Sequence, residues 1–203
     1  MFLGASHATR LWKAAVQYIQ ENNVKRVKLY NNTRPGASLL GKNAPINYDL
    51  LASLTPNDFI IVQYTGNDLL EKRLLITHNP KIFHITEFVP KSDNNVRRSR
   101  LLLKRILGIS SAKVIIIDDV YRHLRCCTLH MYPGLVKYFA KRNKELKEFF
   151  PQYEVLDHRR LLNVNFRKIT TVHHYKDLLI DSVHLKPKHY LEIIHTLWAK
   201  YSI

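Results

Sequence analysis

Two short runs constrain this chain more than any other feature. They are Phe59-Ile60-Ile61-Val62-Gln63-Tyr64 and Lys113-Val114-Ile115-Ile116-Ile117. A strand with one wet face alternates apolar and polar residues, because successive side chains point to opposite faces. The first run is apolar almost throughout, at strand length. That pattern predicts burial on both faces, as in a parallel sheet covered by helices on either side. Turn residues bound it, with Pro56-Asn57-Asp58 before and Thr65-Gly66-Asn67-Asp68 after.

The rest of the chain alternates around these runs. Phe2-Leu3 is the stub of a first strand, ending at Gly4-Ala5-Ser6. His7 to Glu21 reads as a helix, with Leu11, Ala14, Ala15, Tyr18 and Ile19 at helical spacing. Val24 to Tyr30 reads as a second strand, followed by a loop over residues 31–38 and a short helix from Ile46 to Leu54. The stretch from Leu69 to Phe88 has room for a short helix and a short strand. Ser92-Asp93 caps a helix that runs to about Leu107, where Gly108 stops it. Tyr132-Pro133-Gly134 precedes a helix from about Leu135 to Phe150, and Tyr153 to Leu156 reads as a fifth strand. A last helix starts near Pro187, a favoured first-turn residue, and runs to Tyr201. Strands alternating with helices predict an α/β fold with a parallel sheet and helices on both faces. Ligands of such sheets bind beyond the carboxyl ends of the strands.

At 203 residues and 46% hydrophobic content, the chain is long enough for one well-buried domain over 1–203, and disorder is not the default. The formal net charge of +16 predicts a polyanionic partner, either nucleic acid or an anionic membrane surface, against the plainer reading of an inert basic surface. Cys126 and Cys127 are adjacent, and sequence neighbours rarely meet disulfide geometry. They read as reduced, in an intracellular, cytoplasmic protein. No apolar run approaches the ~20 residues that span a bilayer. The 11 histidines lack metal-ligand spacing, so no metal or cofactor is expected.

Three candidate strands end in stretches that carry chemistry: Ser6, Gly36 in Arg34-Pro35-Gly36-Ala37, and Asn67 in Thr65-Gly66-Asn67-Asp68. In a parallel sheet all three fall on one edge. Near the C-terminus, Asp181-Ser182-Val183-His184-Leu185 places a carboxylate and an imidazole three residues apart on a loop that feeds a helix. The carboxylate can hold the ring in one tautomer while the other ring nitrogen takes a proton from Ser6. The Ser6 and Gly36 N–H groups and the Asn67 amide can hold a developing oxyanion. Plainer readings stand beside this one: Ser6 as a helix cap, Gly36 as a type II turn glycine, Asn67-Asp68 as an ordinary turn, and His184 as a structural histidine.

Basic residues cluster too. Arg97, Arg98, Arg100, Lys104 and Arg105 fall on one predicted helix, and Arg122 and Arg125 follow the fourth strand. Lys137, Lys141, Arg142, Lys144 and Lys147 fall on the next helix. Arg159, Arg160, Arg167 and Lys168 precede the Asp-His loop, near Phe166, His173, His174 and Tyr175. Cations with neighbouring rings suit single-stranded RNA, through phosphate contacts and base stacking. Solvated helix faces are the plainer alternative.

Four blocks in this order resemble the SGNH (GDSL-type) hydrolases: GAS at Ser6, RPGAS at Gly36, TGND at Asn67 and DSVHL at Asp181 and His184. The resemblance spans residue 3 to about residue 200. It implies a flavodoxin-like three-layer α/β/α sandwich and hydrolysis of an ester or acylated substrate through a serine acyl-enzyme. Ser6, Asp181 and His184 would be catalytic, with Ser6, Gly36 and Asn67 as the oxyanion hole and no cofactor. One position departs from the pattern: Ala5 stands where the family usually has an acidic residue. The short first strand is consistent with a piece of a longer protein. On Ser6-His7 and Arg10-Leu11 the chain also resembles the SGNH-type domains of animal retroelement proteins. Its charge is similar to that of the Oskar-type domains, SGNH-fold RNA-binding modules regarded as non-catalytic.

Overall fold

Period-two alternation along each strand sends one set of apolar side chains to each face of the sheet, and both sets are buried. Phe2, Ile61, Ile115 and Ile117 enter one core cluster, while Leu3, Ile60, Val62, Val114 and Ile116 enter the other. A sheet that is apolar on both faces must be covered on both, which yields three layers. The computed structural model describes residues 1–41, 44–64, 66–76, 84–120, 132–162, 178–181 and 183–203.

The strands are β1 (Phe2–Gly4), β2 (Asn31–Thr33), β3 (Phe59–Gln63), β4 (Leu70–Ile76), β5 (His84–Pro90), β6 (Lys113–Ile117) and β7 (Glu154–Leu156). The helices are α1 (Ser6–Glu21), α2 (Tyr48–Ser53), α3 (Gly66–Leu69), α4 (Asp93–Leu107), α5 (Tyr132–Phe149), α6 (His158–Leu161) and α7 (Pro187–Tyr201). The main sheet has five strands in the order β2-β1-β3-β6-β7, and every pairing is parallel. Counted along the chain, that is the flavodoxin-like order, whose crevice opens where the winding reverses between β1 and β3. On one face Leu11, Ala14 and Ala15 of α1 pack with Ile193, Ile194 and Leu197 of α7. On the other, Leu51 of α2 and Leu103, Ile106 and Leu107 of α4 pack with Leu146 and Phe150.

The structure corrects two readings. The second strand is not Val24–Tyr30 but Asn31–Thr33, paired with Phe2–Gly4 of β1. An edge strand is selected by the neighbour it meets, and β1 offers only three residues for pairing. Among its described residues, the stretch after Leu69 holds two strands where a short helix and one short strand had room. It forms an antiparallel hairpin, β4 with β5, outside the main sheet. Ser92 caps α4 as expected, its hydroxyl accepting from the Asn95 N–H. Cys126 and Cys127 lie outside the described residues. Among the described residues, no helix is long and apolar enough to cross a membrane.

Candidate active site

Gly4 explains how the first strand turns into α1. Its φ is +152°, and a Cβ there would stand 2.2 Å from the Gln63 carbonyl oxygen and 2.7 Å from the Ala8 Cβ. Only glycine permits that approach. The Ala5 N–H then donates to the Gln63 carbonyl at 3.3 Å, which fixes the start of α1 against the end of β3. Ala5 occupies the N-cap position without a side-chain cap bond, and Ser6 is the first residue of the helix. Ser6 therefore does not serve as the cap. Ala5 is buried, so apolar surface lies at the position where the SGNH resemblance implies an acidic residue.

The Ser6 hydroxyl lies 2.9 Å from Nε2 of His184. Nδ1 of the same ring lies 2.8 Å from Oδ2 of Asp181. The other Asp181 oxygen accepts the backbone N–H groups of Val183 (2.7 Å) and His184 (2.6 Å). Partial burial pushes the Asp181 pKa up, but the His184 ring and the two N–H groups outweigh it and bring it down to about 2. A carboxylate ionised across the physiological range fixes the His184 proton on Nδ1. Nε2 then becomes the acceptor that faces Ser6. The loop is closed by Leu179 and Leu185, which form an antiparallel bridge, and by the Ile180 N–H to His184 carbonyl bond of 2.9 Å.

Gly36 has a φ of +77°, and the Ala37 N–H returns to the Arg34 carbonyl at 3.1 Å. With Pro35 before it, this is the geometry of a type II turn, which needs positive φ at that position. The turn is joined to β1 through the Arg34 N–H to Gly4 carbonyl bond of 3.0 Å. The Asn67 side-chain amide donates to the Ala37 carbonyl at 2.9 Å, and the Asn67 carbonyl accepts from Lys91 Nζ at 3.4 Å. Ser6, the Gly36 turn and Asn67 thus meet on the edge that β1 and β3 define.

Sequence reasoning missed two features. Asp68 is not a simple turn residue. It is fully buried and accepts from the Ser38 hydroxyl (2.9 Å), the Leu39 N–H (2.9 Å) and the Leu40 N–H (3.4 Å). Burial pushes its pKa up, partly offset by those donors. His7 is buried beside Ser6. Its ring centroid is 5.0 Å from that of His184, and its Nδ1 is 2.7 Å from the Tyr190 hydroxyl. The signal for Asp68 was the neighbouring Asn67; His7 entered only through the Ser6-His7 resemblance, and nothing local pointed to its contacts with His184 and Tyr190.

The basic residues divide. Arg97, Arg98, Lys104 and Arg105 are exposed on α4. Arg100 is not among them, which corrects the expectation that it binds RNA. It is buried, donating to the Arg142 carbonyl at 2.8 Å and to Glu145 at 3.3 Å. Arg142 is likewise buried and paired with Asp93 and Glu145. Arg159 forks onto Asp157 at 2.9 and 2.7 Å, while Arg160 is exposed. Arg122, Arg125, Arg167 and Lys168 lie outside the described residues, as do Phe166, His173, His174 and Tyr175. Among the described residues, one group of metal-ligand type does form, which the histidine spacing did not foretell: Asp118, Asp157 and His158 bring ligand atoms within 4.8 Å of one another. Its members have protein partners. Asp157 holds Arg159, and Asp118 accepts both the His158 N–H (2.8 Å) and its ring Nδ1 (2.5 Å).

No family model matches the chain, and no curated protein does. Solved structures do. A lipolytic G-D-S-L family member from Veillonella parvula aligns at TM-score 0.56 and 16% identity, over 95% of this chain and 88% of its own. The inhibitor-bound aryl esterase of M. smegmatis aligns at 0.53 and 10%, over 98% and 87%. The Bacillus subtilis protein YxiM aligns at 0.57 and 16%, over 95% of this chain; the chain spans 50% of that protein's length. The fold is that of the SGNH hydrolases. In this sheet the end of β1, the turn after β2 and the segment after β3 lie on one edge, where Ser6, Gly36 and Asn67 stand.

Proposed function

We propose that the protein is a serine esterase or acyl hydrolase. The observation that carries this reading is the continuous hydrogen-bonded line from Asp181 through His184 to the Ser6 hydroxyl, at 2.8 and 2.9 Å. His184 takes the Ser6 proton as the oxygen attacks an ester carbonyl. The ring becomes imidazolium, balanced by Asp181. The tetrahedral oxyanion is received by the Ser6 N–H at the positive end of α1, by the Gly36 N–H and by the Asn67 amide. The imidazolium then returns the proton to the departing alcohol, leaving an acyl-Ser6 ester. Water attacks that ester by the same route in reverse, and the acid is released.

A fluorophosphonate probe tests this, because it reacts only with an activated serine. Wild type should label and Ser6→Ala should not. Absence of labelling in the wild type rejects the reading.

A second reading is favoured by one observation, the exposed row Arg97, Arg98, Lys104 and Arg105 on α4 in a chain of net charge +16. It is RNA binding through the backbone phosphates, compatible with catalysis and independent of it. On both readings the protein works inside the cell, where the adjacent Cys126 and Cys127 stay reduced.

A further inference from the structure

His184 is held at both ring nitrogens, but two hydrogen bonds in the plane of a ring leave it able to rock about the line joining them. One neighbour of that ring is His7. The two centroids are 5.0 Å apart with the planes tilted by 43°. His7 is 7% exposed, so this neighbour is a packed ring rather than water. It follows Ser6 directly in α1, so any movement of the nucleophile carries it along.

His7 is itself fixed from the far side. Its Nδ1 lies 2.7 Å from the hydroxyl of Tyr190, a bond across 183 residues. The Tyr190 ring is 6.1 Å from the His7 ring and 2% exposed. Tyr190 lies in the first turns of α7, the helix that the Asp181–His184 loop feeds. The Leu185 N–H, adjacent to His184, also acts on the Tyr190 oxygen, and burial pushes the phenol pKa up, so the hydroxyl keeps its proton.

We propose that His7 is a positioning residue for His184, oriented by the Tyr190 hydroxyl, and that the pair sets the tilt of the imidazole that activates Ser6. This deepens the serine-hydrolase reading and rests on it for its catalytic consequence. The chain of contacts runs from α7 through Tyr190 to His7, then across to His184. It couples the helix that follows the base to the helix that bears the nucleophile. A ring anchored at its edge by Tyr190 stays packed against His184 while the base gains and loses its proton. A water-filled gap would let it rock away from Ser6.

The test uses the full chain with His7→Phe, which keeps a ring and loses the Tyr190 bond, and His7→Asn, which keeps a polar partner for Tyr190 and loses the ring. Tyr190→Phe and the His7→Phe/Tyr190→Phe double variant complete the set. The readout independent of catalysis is the far-downfield proton resonance of the His184 Nδ1–H, assigned by its loss in Asp181→Asn. It should shift or broaden in each single variant. Fluorophosphonate labelling of Ser6 should slow by about 10- to 100-fold in the single variants, the range expected for a small misplacement of a catalytic group. The double variant should be no slower than the worse single one, because both act through the same contact. A resonance unmoved in folded His7→Phe and Tyr190→Phe overturns the proposal, whatever the labelling. If wild type fails to label but the resonance moves, the esterase reading falls and the positioning of His184 stands.

Discussion

Asp68 Oδ2 accepts the backbone N–H of Leu39 at 2.9 Å from a position with no solvent exposure. Together with the Ser38 and Leu40 donors on Oδ1, it clamps the segment after the Gly36 turn onto α3. Two neighbouring residues thus hold one loop, Asn67 by Ala37 and Asp68 by residues 38–40. Removing the carboxylate strands three donors. Asp68→Ala should cost about 1–3 kcal/mol, the penalty for a buried hydrogen-bond group left without its partner. Chemical denaturation measures it. The sign with pH also follows. The folded-state pKa is raised above 3.8, so the folded protein holds the Asp68 proton more tightly than the unfolded chain does. Its contribution to stability falls as pH rises from 3.8 to the raised value and is level above it. The Asp68→Ala variant should lack that segment of the stability–pH curve.

Asn67 holds the Ala37 carbonyl through its amide at 2.9 Å, and on the proposed mechanism it also meets the oxyanion. Asn67→Ala should therefore lower kcat by about 10²-fold, through the lost oxyanion donor. It should also lower stability by about 1 kcal/mol, through the Ala37 carbonyl. Steady-state kinetics and thermal melts separate the two. A lost melting temperature with intact kcat would leave Asn67 only its hold on the turn.

Ser6→Ala and His184→Ala should each remove hydrolysis of a short aryl ester by ~10³-fold or more, and the double variant should be no worse than either. On the proposed mechanism the two groups act as one unit across the 2.9 Å contact. Unchanged activity in Ser6→Ala would place the chemistry elsewhere.

How much of this was legible before the structure follows from what each residue depends on. β3 and β6 could be read because burial on both faces writes itself into every position of Ile60–Val62 and Val114–Ile117. β2 could not, because Asn31-Asn32-Thr33 has no strand signature and is a strand only where it lies beside β1. The identities of Ser6, Gly36, Asn67, Asp181 and His184 were local signals, whereas their meeting depends on the strand order. The bond between His7 and Tyr190 carries no local signal, since it is entirely tertiary. Arg100 was misread although the pattern was there. It lies on the Val96, Ser99, Leu103, Ile106 and Leu107 stripe that α4 buries, and a cation on such a stripe needs a buried acceptor.

Asp181 gives a second dependence on pH, opposite in sign to that of Asp68. Its folded-state pKa of about 2 lies below the ordinary 3.8, so its contribution to stability is present above pH 3.8 and is lost as pH falls through 2. The stability difference between wild type and Asp181→Asn should narrow over that interval. At neutral pH the same variant leaves His184 free to hold its proton on the wrong nitrogen, and kcat should fall by up to ~10⁴-fold. A constant stability difference from pH 5 to pH 2 would mean that the Asp181–His184 bond does not hold the carboxylate ionised.

The surface charge is tested on α4. Arg97, Arg98, Lys104 and Arg105 are exposed, and Leu101 among them is 41% exposed. Arg100 must be left alone, because a glutamate there would be buried beside Glu145 and the fold would fail before the surface was tested. Arg159 is a weaker candidate than its sequence suggests, since Asp157 already neutralises it through two bonds. On the RNA-binding reading, the α4 row is thus the better candidate for the phosphate-binding face. Each phosphate contact to single-stranded RNA contributes a slope of about −0.7 in log K against log salt, so four contacts contribute nearly −3. Reversing all four cations to glutamate should flatten the slope by up to that amount, while Arg160→Glu should change it by no more than about 0.7. Ester hydrolysis should be unaffected by either, as neither touches Ser6, His184 or Asp181. An unchanged slope in the α4 variant would remove this helix as the RNA-binding face.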